Sequence, residues 1–278
     1  MPPRQPGPEL TSTRAPRVKA AQRLAKRAFR ARAGRFLAEG PQAVREAVGR
    51  SGTVHELFVT HDAGERYADI VAAAAAGGAP VHLVSGEVML ALSQTVTPQG
   101  LVAVCGVIDV PLPDLLVTAP RLVAVLAHVR DPGNAGTVLR AADAAGAGGV
   151  VLTGDSVDPY NGKCVRASAG SLFHLPVVVG RDAADELPAL RAAGLRVLAA
   201  DGHADTDLDE ATDSGLLDGP TAWVFGNEAW GLPPDTRALA DRVVRVPIHG
   251  RAESLNLATA AAVCLYASAR AHRAQPSG

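Results

Sequence analysis

Cysteine is scarce: Cys105, Cys164 and Cys264 are the only three in 278 residues, far apart and without CxxC spacing. That argues against a disulfide framework or a structural zinc site and fits a reducing, cytoplasmic setting. Aromatic residues make up 4%, which leaves few platforms on which single-stranded bases could stack. No apolar run reaches the ~18 residues that cross a bilayer, so no membrane partner is expected. The N-terminus is charged and Pro-rich and lacks the apolar stretch of a signal peptide. An excess of one charge is missing too, since 27 Lys+Arg meet 28 Asp+Glu. A uniformly basic coat for nucleic acid is excluded, although local patches are not.

Four sequence signatures are also absent. The glycine run Gly146-Ala-Gly148-Gly149 follows a helix and opens a strand, the reverse of a dinucleotide fingerprint. A P-loop ending at Gly162-Lys163 would need glycine where Val157 stands. Neither HExxH nor GxSxG occurs. No metal site is expected, and the eight histidines are scattered, with only His128 and His249 near the motifs described below.

What is present begins with 47% hydrophobic residues, enough for a sizeable core. Charge is placed unevenly. Residues 1–35 hold Arg4, Arg14, Arg17, Lys19, Arg23, Lys26, Arg27, Arg30, Arg32 and Arg35 against Glu9 alone. Such an arm suits a polyanion, and RNA or DNA phosphate is the polyanion expected first. A solvated tail that keeps the protein soluble is the plainer alternative.

Periodicity and punctuation divide the chain. Residues 1–13 read as disordered and 14–33 as one basic helix, so 1–33 is taken as an arm. Residues 34–108 read as a small α/β unit: a helix over 39–48, strands at 54–60, 81–84 and 100–108, and a helix over 68–76 that stops at Gly77-Gly78. The Pro-punctuated stretch 109–120 reads as a linker. From 121 to 278 apolar strands at 122–127, 149–152, 175–179, 195–200, 222–225 and 243–246 alternate with helices at 135–145, 163–169, 183–193 and 255–270. That alternation predicts a parallel sheet covered on both faces.

Three polar segments each follow an apolar strand of this second part. The first is Asp131-Pro132-Gly133-Asn134-Ala135-Gly136, with Arg140 about one and a half turns later. Ligands bind beyond the carboxyl ends of such strands, and an arginine there suits a phosphate. The second is Phe225-Gly226-Asn227-Glu228-Ala229-Trp230-Gly231-Leu232, whose glycines allow close backbone approach. The third is Val246-Pro247-Ile248 followed by Glu253-Ser254-Leu255-Asn256-Leu257, with Ser254 as the expected cap of the last helix and Asn256 in its first turn. Each segment alone also fits a cap, a tight turn or a solvated side chain.

Taken together and in this order, the three segments resemble the motifs of the SpoU (TrmH-like) RNA ribose 2′-O-methyltransferases of the SPOUT superfamily. Residues 34–107, through Phe36-Leu37-Ala38-Glu39-Gly40, also resemble the L30e-like substrate-binding domain that often precedes the catalytic one. The basic arm lies outside this pattern. The resemblance implies a C-terminal α/β domain threaded into a trefoil knot and binding S-adenosylmethionine. It implies backbone contacts to that cofactor from Leu198, Ala199, Ala200, Gly226 and Ile248, with Leu257 beside them. It implies transfer of a methyl to a ribose 2′-hydroxyl of ribosomal RNA, or less favourably transfer RNA, with Arg140 at the reaction centre. Asn134, Glu228, Ser254 and Asn256 would position it. An arginine stays protonated at neutral pH, so a phosphate-binding, alkoxide-stabilising role is preferred for Arg140, with transient deprotonation as the alternative. Lys163 and Arg166 would grip RNA backbone, as would Arg23, Lys26, Arg27 and Arg30 of the arm. Family members pair as homodimers, here through the knot region and the apolar, small-residue surface of the last helix. The rival reading is a non-catalytic RNA-binding protein with a degenerate methylase fold.

Overall fold

The computed structural model describes residues 8–274. The chain divides into two units: residues 8–108 together with 158–174, and residues 109–157 together with 175–274.

In the first unit, β1 (Arg35–Glu39), β2 (Val54–Val59), β3 (Val81–Leu83) and β4 (Leu101–Gly106) form one sheet in the order β1-β4-β2-β3. β4 is the axis, antiparallel to both β1 and β2, while β3 adds in parallel to β2. β1 begins one residue after Gly34, whose left-handed backbone (φ 59°) ends the preceding helix. The expected helix therefore starts later, at Pro41, where proline is suited to the first turn.

The basic arm is not an appendage. It forms two short helices, Pro16–Arg23 and Arg27–Ala33, rather than one. Val18, Ala21 and Leu24 are buried in one cluster with Leu37, Phe58, Met89 and Val102. Leu10 exchanges backbone hydrogen bonds with the end of β3, donating to Leu83 O and accepting from Ser85 N. The disorder expected for residues 8–13 is thus corrected there, because Leu10 is paired; residues 1–7 lie outside the described residues.

The second unit holds seven parallel strands: β5 (Leu122–Ala127), β6 (Gly149–Thr153), β7 (Val177–Val179), β8 (Arg196–Ala200), β9 (Thr206–Asp207), β10 (Thr221–Phe225) and β11 (Arg242–Arg245). Their order is β7-β6-β5-β10-β8-β11-β9. The chain builds outward from β5 through β6 to β7, then crosses to lay down β8, and β10 later takes the slot between β5 and β8. β5, β6 and β10 are buried along their whole length, as apolar runs in a two-sided parallel sheet must be. The last helix, Leu257–Ala274, lies against β10: the buried Trp223 indole N–H donates to Ser268 Oγ at 2.8 Å. It also packs on helix Pro132–Ala145, where Tyr266 OH donates to Ala144 O.

Two expected boundaries shift. Residues 109–120 are not a free linker, because helix Leu112–Leu116 buries Leu115 completely against the second core. Residues 158–174, expected within the catalytic half, belong to the first unit. There Tyr160 and Phe173 pack on Phe36, with ring centroids 4.6 and 6.1 Å apart.

Candidate functional site

Strand order reverses beside β5 and β10, and in open parallel sheets that is where a crevice opens beyond the carboxyl ends. The first and second motifs stand on those two strands. After β5, His128 turns the chain with a left-handed backbone (φ 58°), and Asp131 caps the following helix by accepting from Asn134 N at 2.9 Å. Pro132 occupies the first turn, where its missing N–H is not needed. After β10, Asn227 and Gly231 close a tight loop through two backbone bonds of 2.7 and 2.9 Å. Gly231 takes the left-handed conformation (φ 72°) that this closure requires.

Gly226 marks the tightest point of the loop. A Cβ there would stand 2.4 Å from the Gly231 carbonyl carbon and 2.5 Å from its oxygen. These are backbone atoms, so Gly226→Ala must open the loop. We expect this variant to show faster amide exchange across residues 226–232 while the rest of the sheet keeps its protection, as read by mass spectrometry.

Glu228 joins the two loops. Its carboxylate accepts from Asp131 N (3.1 Å), Arg130 N (3.3 Å) and Asn134 Nδ2 (3.1 Å). Partial burial pushes its pKa up. The Asn134 amide and the backbone N–H groups outweigh that and hold the carboxyl below the ordinary glutamate range. Asn227 Nδ2 adds a bond to His128 O at 2.9 Å.

The third motif enters through Asn256. Its Nδ2 donates to Asn134 Oδ1 at 3.0 Å, and its own Oδ1 accepts from Ala258 N and Thr259 N. Asn256 is therefore the cap of the last helix, a role expected of Ser254. Ser254 stands exposed two residues earlier, because the helix begins at Leu257. Asn134, Glu228 and Asn256, 122 positions apart at the extremes, form one chain of hydrogen bonds.

Arg140 lies six residues beyond Asn134 on the same helix, about 9 Å along its axis. It is exposed, with no hydrogen bond or ion pair to any described residue. The fold thus presents its guanidinium to solvent rather than spending it on structure.

The expected cofactor segments also share this edge of the sheet. Ala200 is in register with Phe225 on one side and Val244 on the other, so Leu198–Ala200, Gly226 and the stretch leading to Ile248 leave three neighbouring strands in the same direction. Ile248 is 38% exposed, large and apolar, beyond β11; Leu257 is half-buried at the start of the last helix.

The basic candidates fall in the first unit. Arg23, Lys26 and Arg27 are exposed, and Arg23 lies over the Phe29 ring. Arg30 is not available to RNA: it is 4% exposed, donates from Nε and NH2 to Asp158, and donates from NH1 to Leu24 O and Ala25 O. Its burial makes it a structural arginine, and its place among the RNA-gripping residues is withdrawn. Arg166 is partly buried and paired with Glu39 Oε2 at 3.1 Å, and Lys163 is exposed.

Sequence reasoning quoted Trp230 within the second motif and placed His128 near the site, but gave neither a role. Only the position of a lone aromatic between the motif's Glu228 and Gly231, in a chain with two tryptophans, could have suggested one for Trp230.

The fold and site together define an α/β protein that gathers polar side chains from three distant motifs at the switch point of a parallel sheet. Comparison with known proteins makes the class specific. Residues 121–266 match the SpoU rRNA Methylase family profile, and residues 15–103 match that of MRM3-like substrate binding domains. The second match reaches back to residue 15, so most of the expected arm belongs to this domain, as its buried Val18 and Leu24 require. The chain is 33% identical over 93% of its length, and 98% of the relative's, to the 23S rRNA (guanosine(2553)-2′-O)-methyltransferase RlmP of Bacillus subtilis. Among solved structures it resembles an AdoMet-bound rRNA methyltransferase from Sinorhizobium meliloti (TM-score 0.83, 32% identity, 95% of this chain and 97% of that one). It also resembles the SpoU methyltransferase AviRb from Streptomyces viridochromogenes in complex with AdoMet (TM-score 0.80, 30% identity, 94% and 100%). The chain belongs to the SpoU rRNA methylase family.

Proposed function

We propose that this protein is an S-adenosylmethionine-dependent RNA methyltransferase that modifies a ribose 2′-hydroxyl of ribosomal RNA in the cytoplasm. The observation that carries the reading is the Asn134–Glu228–Asn256 network beside an exposed Arg140. The named relatives support rRNA as substrate, and the AdoMet-bound structures support the cofactor.

The residues present fit an adenosyl group. Leu198–Ala200, Gly226 and Ile248 offer backbone and small or apolar side chains at one sheet edge, with Leu257 beside them. When bound, S-adenosylmethionine supplies a methyl on a positive sulfonium. The chain must then hold a ribose hydroxyl in line and stabilise the charge that grows on its oxygen as the hydroxyl proton passes to solvent. Arg140 binds the nucleotide's phosphate and stabilises that oxygen. Glu228, fully ionised and clamped by the β5 loop, fixes Asn134 and the start of the Arg140 helix. Asn256 locks the last helix to the same point, and Ser254 faces the ribose from the preceding loop. The knot threading expected of the family, and a homodimer formed through the last helix, belong to this proposal. The small-residue surface expected to carry the homodimer is corrected, because Ala258, Ala261, Leu265 and Ala269 are buried within the chain; exposed Val263 and Tyr266 would meet the second copy instead.

The decisive experiment maps 2′-O-methyl marks in total RNA from cells with and without the gene. Loss of one rRNA mark supports the proposal, and an unchanged map refutes it. Binding is tested separately. Removing residues 1–33 would delete core side chains, so Arg23, Lys26 and Arg27 are instead replaced together by glutamine. We expect weaker RNA binding and a log–log salt slope shallower by about two to three. An unchanged slope would remove these residues from the RNA interface.

A further inference from the structure

Trp230 is 54% exposed, and it is one of only two tryptophans; Trp223 is fully buried. A half-exposed indole leaves one large apolar face open to solvent. This one is not on a loose tip. Gly231, immediately after it, and Asn227, three residues before it, are joined by two backbone hydrogen bonds. Its ring rests against the His128 imidazole, with centroids 5.6 Å apart and planes inclined at 51°. His128 is fixed in turn: its carbonyl accepts from Asn227 Nδ2, and its ring packs so closely on Gly154 that a Cβ there would come within 2.7 Å of it. Gly154, His128 and Trp230 therefore make a supported stack. Its outermost member is two residues from Glu228, whose carboxylate binds the loop that launches the Arg140 helix.

We infer that Trp230 is the platform on which a nucleobase of the RNA stacks, the target base or its immediate neighbour, so that the ribose is held at the Asn134–Glu228–Asn256 cluster. This rests on the methyltransferase reading above. Sequence-specific recognition of RNA uses unpaired bases laid on aromatic side chains, and a rigid indole gives up little freedom when a base settles on it. A π-face accepts any base, so Trp230 supplies hold and orientation, while base identity must be read elsewhere.

The test uses the full chain, unmodified 23S rRNA transcript and S-adenosylmethionine carrying a labelled methyl. For Trp230→Ala we expect KM for RNA to rise about tenfold, as loss of one stacked base implies. kcat should change less than about twofold, and calorimetric affinity for the cofactor should be unchanged. Trp230→Phe should recover most of the loss, because a smaller ring still stacks. In the wild type, RNA should quench tryptophan emission, and Trp230→Phe should abolish that quench because only buried Trp223 remains. An unaltered KM in Trp230→Ala with wild-type quenching retained in Trp230→Phe would overturn the inference. So would a phenylalanine variant as impaired as the alanine one, or a shift of Trp230→Ala to a smaller sedimenting species, which would make the indole a contact between copies. A wild-type enzyme that methylates no rRNA would instead sink the methyltransferase reading on which the inference stands.

Discussion

Arg140→Ala is expected to abolish methyl transfer while leaving S-adenosylmethionine affinity within about twofold of wild type. The guanidinium is exposed and bonds to no described residue, so its removal leaves no buried partner unsatisfied and the fold should be indifferent to it. Its value would lie only in the reaction, where an attacking ribose oxygen gains negative charge. Loss of one donor aimed at such an oxygen costs about 10²–10³ in rate, and loss of phosphate binding adds to that through orientation. Labelled-methyl transfer and calorimetric titration of the cofactor measure the two effects separately. Normal turnover would remove Arg140 from the centre, and loss of cofactor binding would move it to the cofactor site. Arg140→Lys distinguishes the roles further. A lysine keeps the charge but not the fork, so it should restore some phosphate binding and little of the rate.

The second large effect concerns stability. Arg30→Met should destabilise the first unit by about 3 kcal/mol or more, because truncating one partner of a buried ion pair strands the other charge. Asp158 would lose two guanidinium donors, at 2.8 and 2.6 Å, in a site where the arginine is 4% exposed. The carbonyls of Leu24 and Ala25 would lose their NH1 donor as well. The double variant Arg30→Met, Asp158→Leu should regain most of the loss, since replacing a buried pair by apolar residues is often neutral. Hydrogen exchange in residues 8–108 and 158–174, read beside urea unfolding, would report the change. Unaltered protection in the single variant would show the pair to be dispensable.

Both predictions turn on arginines that composition treats alike. In the sequence, Arg30 is one of ten basic residues among the first 35 and Arg140 an isolated charge near a loop. Burial separates them, and burial depends on Asp158, which is 128 residues from Arg30. The same limit applied elsewhere. Six of the seven strands of the parallel sheet were legible as short apolar runs, and β9 was not, because it is only the polar pair Thr206–Asp207. β1 was not, because Phe36–Glu39 leads without a break toward helix-forming residues and only the turn at Gly34 and pairing with β4 settle its conformation. Ser254 looked like a cap by residue type, yet Asn256 is the cap. Its carbonyl oxygen reaches two helix N–H groups while its amide donates to Asn134, a partner no local rule supplies.

By itself the sequence determined the alternation of strands and helices, the place of each polar motif after a strand, and the family to which those motifs point. These follow from local periodicity, turn chemistry and spacing, all properties of neighbours along the chain. Tertiary structure alone decided which strands lie side by side, that Glu228 clamps the β5 loop, that the basic arm is half core, and that Trp230 stands supported beside the site. Hydrogen bonding and burial between residues about a hundred positions apart are set by how β10 enters the sheet between β5 and β8, and no local pattern carries that information.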